Sequence, residues 1–191
     1  MKPDVKTVLK TVDGLRGYIY ETLGELVKTP SINHPPFGDE YECQMVVARR
    51  WREMGFEPEI YTLDSVPGLQ EHPRYFPGRD YHNRPNVLAR RKGQADGKSL
   101  LLSGHIDTVP LGLQPWKHDP FAATIENGRM YGLGTYDMKG GVSVILGVMR
   151  TMCELDVKLK GDILAETVVD EEFGGGNATL AGRVRGDNAD A

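Results

Sequence analysis

Two apolar runs in this chain each finish in charged side chains, a pattern that suits buried strands whose carboxyl ends open onto a cleft. Leu101-Leu102-Ser103-Gly104-His105-Ile106-Asp107 ends in a histidine and a carboxylate two residues apart. Val168-Val169-Asp170-Glu171-Glu172-Phe173-Gly174-Gly175 ends in three consecutive carboxylates. Between them, Gly134-Thr135-Tyr136-Asp137-Met138-Lys139-Gly140-Gly141 sets an aspartate just before a glycine-softened helix start. Open α/β sheets hold ligands beyond the carboxyl ends of their strands. One imidazole and several carboxylates delivered at element ends suit a hard-to-borderline divalent metal such as zinc.

The remaining pattern supports that reading of the fold. Apolar residues at Val8, Leu9, Val12, Leu15, Ile19, Leu23 and Leu26 predict a helix from about Asp4 to Lys28, ended by Pro30 and the loop 31–36. A second helix is expected from Asp39 to Met54, stopped by Gly55, with a short strand over Phe56 to Tyr61. Asp64 to Pro85 has no clean period and reads as a long loop. Strands follow over Asn86–Arg90 and Ser99–Ser103, joined by the polar turn Gly93 to Lys98. Asn127-Gly128 between Phe121–Ile125 and Arg129–Tyr131 predicts a tight hairpin. Val142, Ile145, Leu146, Met149, Met152 and Cys153 share one helical face, Ile163–Val169 is the next strand, and Ala178–Val184 opens another helix. Helices on both sides of a strand-built centre imply a layered α/β domain.

Composition excludes several classes. At 191 residues, with 39% apolar and 26% charged residues, the chain has the length of about one globular domain. A net charge of −4 with no basic stripe argues against nucleic acid as a partner. No apolar stretch approaches the ~20 residues of a membrane helix, and Met1 to Lys6 lacks the apolar core of a signal peptide. Cys43 and Cys153 fit no C-x-x-C pattern, so free thiols and a cytoplasmic location are expected.

Each motif alone has a plain structural reading. His-x-Asp fits a surface loop, the acidic triplet fits a solvated strand end, and Asp137 fits a helix N-cap worth ~1 kcal/mol. Against the last, two glycines at a helix start cost ~1 kcal/mol each relative to alanine, which points to close backbone approach. Residues i and i+2 of extended chain face the same way, so Asp107 is placed to orient His105. His34, His72, His82 and His118 lie in predicted loops, and Trp116 and Phe121 read as loop anchors.

Together the motifs resemble the co-catalytic zinc hydrolases related to acetylornithine deacetylase, succinyl-diaminopimelate desuccinylase, aminoacylase and carboxypeptidase G. The family pattern S-G-H-x-D-x-V-P stands here as Ser103 to Pro110, Y-G-x-G-x-x-D-M-K-G-G as Tyr131 to Gly141, and D-E-E-x-G-G as Asp170 to Gly175. Leu133 departs from the arginine common at its position, and Arg84-Pro85-Asn86-Val87 resembles the deacetylase and desuccinylase branch. The resemblance implies a three-layer α/β/α catalytic domain with a mixed sheet. It implies two divalent metals, most often zinc, with cobalt or manganese as alternatives. His105 would bind one metal, Asp137 bridge both and Glu172 bind the other. Glu171 would be the general base, Asp107 the carboxylate orienting His105, and the Asp137–Met138 peptide cis. The implied reaction is hydrolysis of an amide in an N-acyl amine, N-acyl amino acid or small peptide by a homodimeric enzyme. The family's remaining acidic and histidine ligands and its lid domain have no match in residues 1–191. The chain is therefore expected to be the amino-terminal portion of the catalytic domain, a poor hydrolase alone. The alternative is a non-catalytic fragment acting through binding or assembly.

Overall fold

The computed structural model describes residues 3–174 and 176–191. Met1, Lys2 and Gly175, the last within the acidic motif, lie outside the described residues. The helix expected to run unbroken to Lys28 is two, α1 (Val5–Gly14) and α2 (Arg16–Lys28), joined at Leu15. Asp4 caps the first by accepting the Thr7 N–H at 2.7 Å. Gly14 and Gly17 flank the break, where the helix is intrinsically weak. Leu15 between them is buried, while Val5 and Leu9 stay in water.

The loop 31–36 contains more order than its composition suggests. A two-residue ladder pairs β1 (Asn33–His34) with β2 (Phe37–Gly38) around a cis Pro35–Pro36 bond. Helix α3 (Tyr41–Glu53) follows, then β3 (Glu59–Thr62), a 3₁₀ turn over Leu63–Ser65 and the expected long loop. Strands β4 (Pro85–Arg91) and β5 (Leu100–His105) come next, then the hairpin β6 (Thr124–Glu126) and β7 (Arg129–Tyr131). Helix α4 (Lys139–Glu154), strand β8 (Ile163–Val168) and helix α5 (Asn177–Arg185) close the order.

The main sheet runs β3-β4-β8-β5, with β8 antiparallel to β4 and parallel to β5. β4 and β5 are joined by a turn yet do not pair, because β8 lies between them. All six residues of β8 are buried, as a strand covered on both faces requires. On one face, Thr167 Oγ1 donates to Gln44 Oε1 of α3 at 2.6 Å. A Cβ on the neighbouring Gly104 would lie 3.1 Å from Met138 Cε and 3.3 Å from Val142 Cγ2 of α4. On the other face, Asn86 Nδ2 donates to the Ala178 carbonyl of α5 at 2.8 Å. The domain is thus three-layered, with a mixed sheet in the middle. Trp51, Val47, Leu26, Leu146 and Met149 fill the core on the α3–α4 face.

The register pairs His105 with Val168, bringing the ends of β5 and β8 level. Asp137 stands at the same edge. It is not a helix cap: Met138 occupies that position and makes no side-chain capping bond. The Asp137–Met138 peptide is cis, as the resemblance implied. The glycine pair does mark close approach, since a Cβ on Gly140 would sit 2.5 Å from the Thr135 carbonyl oxygen.

Two glycine substitutions should therefore diverge. Gly140→Ala is expected to destabilise the fold by ~1–3 kcal/mol through overpacking against backbone. Gly24→Ala, in the interior of α2 with no atom nearer than 3.9 Å to the new Cβ, should stabilise by ~0.5–1 kcal/mol. Urea unfolding of both variants checks the pair; equal shifts would contradict the backbone contact at Gly140.

Candidate metal centre

The three predicted ligands converge. Donor atoms of His105, Asp137 and Glu172 all lie within 4.8 Å of one another. His105 comes from the last position of β5, Asp137 from the turn before α4, and Glu172 from the turn after β8. Ligands ~2.0–2.2 Å from a zinc ion stand at most about 4.4 Å apart, so small side-chain rotations close the set around one cation. The donor chemistry, one imidazole nitrogen and carboxylate oxygens, fits that ion.

His105 Nε2 lies 3.0 Å from Asp137 Oδ1 and 3.7 Å from Glu171 Oε2. Its Nδ1 is 3.1 Å from the Asp107 backbone carbonyl and 3.3 Å from Asp107 Oδ1. The ring is therefore oriented from behind by Asp107, through main chain as well as carboxylate. Burial lowers the His105 pKa, but Asp107, Asp137 and Glu171 outweigh it and hold the value at about 9. Glu172 is pushed above the ordinary carboxylate range by burial and by Asp137, Asp107 and Glu171, with His105 opposing. Carboxylates crowded enough to resist ionisation are ones a divalent cation relieves.

Asp107 does more than sequence predicted. Its Oδ2 accepts the backbone N–H groups of Glu171 at 2.9 Å and Glu172 at 3.0 Å, and the Asn33 amide at 2.9 Å. Burial raises its pKa, yet His105, these amides and Asn33 bring it below the usual aspartate value. The adjacent Glu171 and Glu172 would face opposite ways in a regular strand. Here β8 has ended at Val168, and Asp170 has a positive φ of 54°, so the chain turns and both glutamates reach the cleft.

Behind this turn lies a buried polar network that the motifs did not announce. Asp170 accepts from Tyr81 Oη at 2.6 Å and from Asn33 Nδ2 at 3.0 Å, with Arg79 Nε at 3.4 Å. Arg84 grips Glu40 with bonds of 2.8 and 2.6 Å, and also donates to Asn33 Oδ1 at 3.3 Å. Asn33 thus links Asp107, Asp170 and Arg84. It sits in the loop before Pro35-Pro36, where nothing in the sequence distinguishes it. Arg84 stands in the segment resembling the deacetylase branch, which was the one available signal. Lys139, fully buried, donates to the Leu26 and Thr29 carbonyls at 2.8 and 2.9 Å and ties the start of α4 to the end of α2.

The loop histidines lie apart from this cluster. His34 pairs with Asp39 at 2.9 Å, and His118 stacks on Tyr131 with ring centroids 4.6 Å apart. Trp116 anchors its loop as expected, its indole N–H donating to the Leu111 carbonyl at 3.1 Å. No described helix is long and apolar enough to cross a membrane.

Residues 101–191 match the model of the peptidase family M20/M25/M40. A curated relative from Halalkalibacterium halodurans, N-formyl-4-amino-5-aminomethyl-2-methylpyrimidine deformylase, is 41% identical over 173 residues, 89% of this chain and 36% of that protein. Dug1p, a di-peptidase of Saccharomyces cerevisiae, shares the fold with a TM-score of 0.71 at 18% identity, over 91% of this chain and 36% of its own. YXEP of Bacillus subtilis, described as a dinuclear metal binding peptidase from the M20 family, has a TM-score of 0.57 at 20% identity, over 91% of this chain and 41% of its own. The chain spans 30% to 36% of the length of the curated relatives it matches.

The raised pKa of His105 sets a pH dependence for the metal-free protein. Protonated His105 stabilises the fold fully below its unfolded value of about 6.5. That contribution is lost as pH rises through about 9. An NMR titration should find the His105 midpoint near 9, and zinc added at pH 7.5 should release about one proton as it displaces the imidazolium proton. A midpoint near 6.5 would contradict the carboxylate cage.

Proposed function

We propose that this chain, whose residues 101–191 match the peptidase family M20/M25/M40 model, supplies metal ligands and a general base to a metal-dependent amide hydrolase. Its substrate is an N-acyl amine, N-acyl amino acid or small peptide. The deformylase name of the relative favours a small acyl group, with most of the substrate's bulk on the amine. His105, Glu172 and Asp137 would hold two divalent metals, with Asp137 shared between the sites of the other two. Zinc is the proposed metal, since mixed imidazole and carboxylate donors suit it; cobalt and manganese are the alternatives. The metals, when bound, polarise the amide carbonyl and acidify water.

The chain's own residues then do the following. Asp107 fixes the His105 ring and, through the amides of residues 171 and 172, the position of both glutamates. Glu171, more than half exposed and 3.7 Å from His105 Nε2, takes a proton from the attacking water and returns it to the leaving amine. The observation that carries this reading is the meeting of His105, Asp137 and Glu172 donors within 4.8 Å, with Glu171 beside them. Hydrolase relatives on C–N bonds favour it over a purely binding role. A homodimer in the cytoplasm is the proposed setting, consistent with the free thiols of Cys43 and Cys153.

The test separates the two glutamates. In an enzyme that carries the family's remaining ligands as well, Glu171→Gln should retain bound zinc and lose ~10²–10⁴-fold in amide turnover. Glu172→Ala should lose zinc affinity, read by metal content after dialysis. The reverse pattern would exchange their roles, and full activity in both variants would end the proposal.

A further inference from the structure

Two clefts flank the carboxylate cluster, and they differ in chemistry. One, of about 520 Å³, is lined by Glu171 together with Arg74 and Arg183, and offers cations. The other, of about 330 Å³, is lined by Thr108, Val109, Trp116, Tyr136, Asp137 and Glu172 among others, and among the described residues no lysine or arginine lines it. The charged side chains lining the second cleft, Asp137 and Glu172, are both acidic and would repel an anionic substituent. Among its other lining residues are two aromatic side chains, Trp116, 43% exposed, and Tyr136, 96% exposed. Single exposed aromatics are ordinary, but these two border one cavity at the proposed metal ligands.

Their local structure favours binding over packing. The Trp116 indole N–H is already paired with Leu111, which fixes the loop and leaves ring surface for contact. Tyr136 precedes Asp137 directly and packs on nothing in the fold, so its side chain contributes little to stability. The volume is roughly twice the ~150 Å³ of an apolar cavity that takes up benzene. Aromatic rings prefer offset or edge-on contact with other rings, a preference a saturated ring of equal size cannot satisfy.

We propose that the cleft on the Trp116 side is a subsite for a flat, uncharged ring on the amine portion of the substrate, held by Trp116 and Tyr136. This rests on the amide-hydrolase reading for the identity of the ligand, while the subsite itself is tested by binding. The probes are N-benzylformamide and N-(cyclohexylmethyl)formamide, alike in size and differing in planarity. Each is titrated into zinc-loaded Glu171→Gln protein, in which turnover is blocked, and followed by tryptophan emission. Trp51 is buried in the core, so an emission change reports Trp116. The benzyl compound should bind about fivefold more tightly, the ratio ring stacking supports. Trp116→Leu should abolish the emission change. Tyr136→Leu, at a position too exposed to affect folding, should bring the two affinities, read by calorimetry, close to equal. Equal affinities before substitution, or a preference that survives both substitutions, would overturn the subsite. Turnover of both formamides by the zinc-loaded native protein without ring preference would also overturn it and leave the hydrolase reading intact. Ring-selective binding with no turnover of either compound would uphold the subsite, and the hydrolase reading would then stand or fall on the two glutamate variants.

Discussion

The buried carboxylate of Asp107 joins the parts of the site. A charge with no solvent exposure must be matched by hydrogen bonds and opposite charge, or the fold loses several kcal/mol. Asp107 is matched by the Asn33 amide, two backbone N–H groups and the His105 ring. Those partners come from β1, the turn after β8 and the end of β5. Satisfying one carboxylate therefore fixes three segments at once, and the imidazole and both glutamates are placed as a consequence.

A second layer keeps that joint in place. Asp170 adopts a left-handed backbone conformation uncommon for a residue with a side chain, and Tyr81, Asn33 and Arg79 hold its carboxylate there. Arg84 and Glu40 close the network against α3. Negative charge in the centre exceeds what Arg79, Arg84 and a protonated His105 balance, and the excess faces the cleft. The interior is neutralised by protein, and the open side is left for cations.

The sheet strands, the Asn127-Gly128 hairpin and the helix after Asp137 were legible because each rests on local periodicity or turn chemistry. His105 and Glu172 were legible because they follow apolar runs, where strand geometry restricts what they can face, and Asp137 because a costly glycine pair follows it at a helix start. The supporting network was not. Asn33, Tyr81 and Glu40 are ordinary residues in their local sequence, and only long-range contact gives them a role. The break at Leu15 was hidden for a related reason: the apolar spacing continues across it, and only the glycines on either side mark the weak point. That β8 separates β4 from β5 also follows from tertiary pairing, which the short turn between the two strands conceals.

Gly104 has a consequence for how the sheet can go wrong. Parallel pairing of β5 with β8 is built from segments some sixty residues apart, and a slip by one position would send every side chain to the opposite face. At Gly104 the space beside Met138 and Val142 admits no side chain without displacement. A slipped β5 would have to force Ser103 or His105 into that gap. The missing side chain thus favours the observed strand alignment, since the misregistration that would turn the imidazole away from its carboxylates also asks Met138 and Val142 to give way.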